Sequence, residues 1–61
     1  MNIYFIYKMF LDIHGDPEKV ELVECDANET NAIRFAKLYN LQIPTDMRNK
    51  VQFNHVGVRV Y

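Results

Sequence analysis

The chain has 61 residues, 49% of them hydrophobic, and seven Lys and Arg against eight Asp and Glu give a net charge of −1. A chain this short is one domain at most and hides only about 60% of its unfolded surface, so its core needs a supplement from a disulfide, a metal or another chain. Cys25 is the only cysteine, which excludes an intrachain disulfide, and the near-neutral charge, with no block of one sign, argues against non-specific attraction to nucleic acid or membranes, which needs a basic patch.

Residues 2–13 are dense in β-branched and aromatic side chains and predict a strand. Ile3, Phe5, Tyr7, Met9, Leu11 and Ile13 share one face, and Asn2, Tyr4, Ile6, Lys8, Phe10 and Asp12 share the other. The second face is polar at its ends and apolar in the middle. A strand buried on one side only has no need of Tyr4, Ile6 and Phe10. Interruption by Lys8 and Asp12, with no basic leader or small-residue cleavage site, makes this segment neither a signal peptide nor a membrane span in expectation.

His14-Gly15-Asp16-Pro17-Glu18 predicts a chain reversal, because Gly15 permits positive φ, Asp16 bonds the local backbone and Pro17 restricts its predecessor. Lys19–Cys25 predicts a second strand. Val20 and Leu22 share a face while Val23 and Cys25 lie on the other, so either a bulge sits near Leu22-Val23 or both faces are partly covered.

Asp26 followed by Glu29 is close to a capping box and predicts a helix from about residue 27. With Ala32 as reference, Phe35, Ala36 and Tyr39 fall within about 60° of it on a helical wheel, and Thr30, Arg34 and Lys37 lie opposite. The two alanines let the backbone approach a sheet closely while Phe35 and Tyr39 fill the flanks. Pro44 ends the helix, expected by Asn40. After a polar connection over 42–50, residues 51–61 predict a third strand. Val51 and Phe53 have one parity and Val56, Val58 and Val60 the other, which predicts a bulge near Asn54–Gly57.

The whole chain, 1–61, therefore reads as a single small α+β domain of order β-β-α-β. A helical crossover makes the third strand run parallel to the second, so both pair antiparallel to the first in spatial order 2-1-3. One helix covers one face. The other is expected to carry Tyr4, Ile6 and Phe10 with nothing in the chain to cover them, and such contiguous patches mark interfaces. A two-fold dimer, with these faces stacked or with edges joined, would complete the core.

The residues that bear chemistry read more simply as structure. Asp12, His14, Asp16 and Glu18 lack the spacing of a calcium loop or a zinc knuckle and suit a turn. His55, near the expected bulge, could act as a general base in a minimal nuclease, but the chain lacks the leading helix and basic surface of small toxin nucleases. Cys25 precedes a helix N-terminus, where a thiol pKa can fall, yet it reads as a small buried hydrophobe. Arg34, Lys37, Arg48, Lys50 and Arg59 read as part of a mixed solvated surface, which leaves a small nucleic-acid-binding regulator as the alternative. No catalytic residue, cofactor or metal is expected. A lone thiol without export signals indicates a reducing cytosol.

In size, in its Met-initiated start and in its lack of a catalytic motif, the chain resembles, as a class, the very small cytosolic proteins encoded by bacteriophages and other mobile elements, including inhibitors of host defence. That resemblance implies a homodimeric, non-enzymatic inhibitor of a bacterial immune or regulatory protein.

Overall fold

The β-rich opening of the chain, the Gly15 turn and the amphipathic segment after Asp26 each form the element their residues favour. In the computed structural model, which describes residues 1–61, β1 spans Asn2–Leu11, β2 Pro17–Asp26, α1 Glu29–Gln42 and β3 Val51–Arg59, with a 3-10 turn at Thr45–Met47. The three strands form one antiparallel sheet in the order β2-β1-β3. Gly15 adopts φ 83°, and one Asp12 carboxylate oxygen accepts the His14 and Asp16 N–H groups at 2.8 and 3.0 Å. The acidic turn is thus held by its own backbone bonds.

The helix starts two residues later than the capping-box reading. Asn28 is the N-cap, its side chain accepting the Asn31 N–H at 3.2 Å, while the Asp26 carboxylate accepts the Asn28 N–H at 2.8 Å. Both orient the first turn by satisfying donors that a helix leaves unpaired. At the other end the helix runs two residues beyond Asn40, to Gln42, and stops at Ile43, whose extended backbone is what Pro44 next to it favours.

Val23 has no partner on β1, because Ile6 pairs with Glu24 and Tyr7 with Leu22. This is the bulge expected at Leu22-Val23, and its effect is to bring Val20, Leu22 and Cys25 to the same side of the sheet. The bulge expected in β3 is absent. Pairing runs without a break from Asn2 opposite Arg59 to Phe10 opposite Val51. The apolar phase of β3 changes because its two halves serve different faces: Val51 and Phe53 lie on the helix side, and Val56 and Val58 on the other.

Only four side chains are buried, namely Ile6, Ala32, Ala36 and Val51. Ile6 is fully enclosed beneath Ala32 and Ala36, with Tyr4 and Tyr39 against its sides. This reverses the expected assignment of faces. Tyr4 and Ile6 are covered by the helix, and the uncovered side carries Ile3, Phe5, Tyr7 and Met9. The two alanines present almost no side-chain height, so a single branched residue fills the gap between helix and sheet. Gly57 opposite Tyr4 serves the same packing, since a Cβ there would stand 2.8 Å from the Tyr4 ring. Phe35 lies at the margin of the helix–sheet contact and is 36% exposed.

Because Ile6 is the only large side chain with no exposure, Ile6→Ala is expected to cost about 2–5 kcal/mol and Ile6→Val about 0.5–1.5 kcal/mol. Urea unfolding followed by circular dichroism measures both. An unchanged midpoint for Ile6→Ala would remove this residue from the core.

Candidate binding surface

The side of the sheet away from α1 is built in rows across the strands. Ile3 pairs with Val58, Phe5 lies between Cys25 and Val56, Tyr7 between Leu22 and Asn54, and Met9 between Val20 and Gln52. Residues directly opposite each other in an antiparallel pair point to the same side. None of these rows contains a Lys, Arg, Asp or Glu. The strands place their charges on the helix side instead, where Lys8, Lys19, Glu21 and Glu24 occupy the alternate positions. On the outer strands of the bare face, Leu22 is 65% exposed, Val20 57% and Val56 46%.

Cys25 is exposed and belongs to this face, so the expectation of a buried cysteine is corrected. It falls in the row of Phe5 and Val56 because the Val23 bulge shifts its parity, and no element of the chain lies above it.

Phe10, expected on the open face, is on the helix side and is shielded by cations. The Lys8 ammonium lies 4.8 Å from its ring centre and the Lys19 ammonium 5.5 Å. Lys8 also lies 5.9 Å from the Phe53 ring. Long lysine stems cover these aromatic faces while their charges stay in water. Of the residues named from sequence as interface, Tyr4 and Ile6 therefore pack under the helix, and Phe10 sits beyond its end beneath two lysines.

The helix C-terminus is fastened to β3 by Asn40. Its amide donates to the Phe53 carbonyl at 2.9 Å and accepts the Phe53 N–H at 2.8 Å, so the side chain substitutes for a neighbouring strand at that point of the edge. Tyr39 packs on Phe53 with ring centres 5.2 Å apart, and its hydroxyl donates to the Glu24 carboxylate at 3.1 Å. Desolvation of the phenol raises the Tyr39 pKa above the ordinary 10.0, and the hydrogen bond and negative charge of Glu24 push it further the same way.

His55 is half-buried in the row of Ile6, and Glu24 lies in the same row two strands away, about 10 Å by strand spacing. The Glu24 carboxylate is engaged by Tyr39. Lys37 and Arg48 border a shallow groove with Leu41 and Ile43, Lys50 lies in another groove beside the hairpin turn, and the Arg59 guanidinium lies 5.5 Å from the Tyr61 ring. No helix is long and apolar enough to cross a membrane.

Comparison with protein-family models, with curated proteins and with solved structures gave no match.

Two outcomes follow from the helix anchors. Asn40→Ala leaves both Phe53 backbone groups without their partner and is expected to cost about 1–3 kcal/mol, with hydrogen exchange at the Phe53 amide accelerated well beyond that of the β1 amides. Unchanged exchange there would mean the bonds are not made in solution. Tyr39 should ionise above the ordinary tyrosine value in a pH titration followed at its own ring resonances, and Glu24→Gln should bring it down. A pKa raised on folding contributes stability that is complete below about 10 and is lost as pH rises through the raised value. An ordinary ionisation of Tyr39, unmoved by Glu24→Gln, would refute the placement.

Proposed function

We propose that this chain is a non-catalytic interaction module whose uncovered sheet face binds polypeptide. The observation that carries the reading is that face itself: contiguous apolar side chains on three strands, no charge in its rows, and a core of only four buried residues behind it. Scattered surface hydrophobes are ordinary in soluble proteins. A patch of them across three strands, bordered on β3 by Gln52 and Asn54, is not, and an antiparallel sheet left bare on one side usually alternates apolar with polar residues. Here both sides of β1 are apolar, so both call for cover, and the chain has one helix to give.

The chemistry-bearing residues support the same reading. Asp12 is committed to its turn and Glu24 to Tyr39, and His55 has Ile6 between it and the carboxylate of its row. A general base works on a proton within hydrogen-bond reach, and a nucleophile needs its base equally close. The target class we propose rests on the likeness in size to small phage-encoded host inhibitors: a bacterial immune or regulatory protein, blocked when the homodimer occupies its surface.

The test is differential capture. A tagged chain co-expressed with an untagged copy in a bacterial cell is expected to retain at least one polypeptide that Val56→Asp loses and His55→Ala keeps, with each variant shown to be folded by circular dichroism. The same polypeptides retained by wild type and Val56→Asp would overturn the reading.

A further inference from the structure

We infer that the occupant of the bare face is a second copy of this chain, stacked sheet on sheet about a two-fold axis with the two helices outward. The inference rests on the reading that this face binds polypeptide and names the polypeptide.

Surface area is the first argument. The chain exposes 4688 Å², whereas a compact monomer of 7.3 kDa is expected to expose about 4,200 Å². The excess is roughly 500 Å², and Val20, Leu22, Val56 and Val58 of the bare face contribute to it together with Met1, Ile13, Leu41 and Tyr61 elsewhere. Two such faces brought together bury on the order of 1,000 Å² in total, the lower bound for a specific interface. Three strands about 4.8 Å apart, over seven paired residues at about 3.4 Å each, give a contact about 14 by 24 Å, enough for that area when side chains interdigitate.

Charge is the second. A two-fold interface sets a surface against itself, so any net charge on it meets its like. The rows from Ile3 to Met9 carry none. A face adapted to a charged partner would show the complementary sign, and this one is neutral throughout.

The edges supply the third argument, because along part of their length they obstruct strand pairing, the other route to a dimer. On β3, pairing is unbroken, so Phe53 and His55 turn their N–H groups the same way. Asn40 takes that of Phe53, and the Asn54 carboxamide takes that of His55 at 2.8 Å. On β2, the pairing is broken at Val23 and again at Glu18, and the Lys19–Glu21 ion pair of 3.1 Å lies along the strand. Bulges and charges of this kind prevent edge-to-edge pairing. Stacking through the face meets none of these obstructions.

Cys25 gives the experiment its reporter, since the single thiol lies within the proposed contact. Molar mass by light scattering is measured over a dilution series, and alkylation of Cys25 by N-ethylmaleimide is followed by mass spectrometry at the same concentrations. The expected result is a two-chain mass that falls to one chain on dilution, Cys25 modification at least tenfold slower in the dimer, and a one-chain mass for Leu22→Lys at every concentration. Leu22 is exposed in the single chain, so this substitution leaves the monomer fold intact. A dimer whose Cys25 reacts as fast as the monomer's would overturn the inference, because association would then use another surface. A one-chain mass throughout would also overturn it. In that event the dye anilinonaphthalene sulfonate separates the two readings: bright fluorescence that Leu22→Lys abolishes leaves the face open for a different polypeptide, and no fluorescence removes the interaction reading as well.

Discussion

Everything in this fold depends on how closely the helix can lie on the sheet over Ile6. Ala32 and Ala36 put backbone rather than side chain against the strand, and Ile6 fills the narrow gap completely. Close packing of this kind makes dispersion contacts dense but leaves no volume for further side chains. Tyr4 and Tyr39 seal the flanks, Gly57 yields room for the Tyr4 ring, and Asn40 ties the helix end to β3. A core this thin is specific in its geometry and small in its yield.

The thin core explains the distribution of polarity. On the helix side the sheet extends past the helix, and that surplus is managed by charge: Lys8 and Lys19 lie over Phe10, and Glu24 accepts from Tyr39. Those aromatic surfaces are shielded by side chains of the same molecule. On the far side no comparable device exists. The strands alternate strictly enough that placing their charges toward the helix leaves only neutral side chains on the other face, and the Val23 bulge completes the set by turning Cys25 to join Val20 and Leu22. The bulge therefore acts on the face as much as on the strand. Without the extra residue, one end of β2 would present its alternate side chains there.

Much of the architecture was legible in the sequence because it follows from local chemistry. The turn at Gly15, the bulge near Leu22-Val23, the amphipathic helix with its two alanines and the strand order 2-1-3 all appear as read. The β3 bulge was not real. A change of apolar parity has two physical causes, a shift in backbone register or a change in which face is covered, and residue types alone do not distinguish them. Here the helix ends over Phe53, so Val51 and Phe53 seek its cover while Val56 and Val58 face the other way on an unbroken strand.

Composition and spacing by themselves determined that the chain is one α+β domain, that its first strand is apolar on both sides, and that one helix leaves one side bare. Which side is bare was decided only by tertiary structure. The side a crossover helix takes follows from strand order and the preferred hand of the connection, not from which face is more apolar. Ile3, Phe5, Tyr7 and Met9 are at least as apolar as Tyr4, Ile6 and Phe10, so the pattern holds no preference between them. Packing height matches the side so chosen: two alanines fit over one isoleucine flanked by a tyrosine and a glycine, and that fit exists only once β3 has brought Gly57 beside Tyr4.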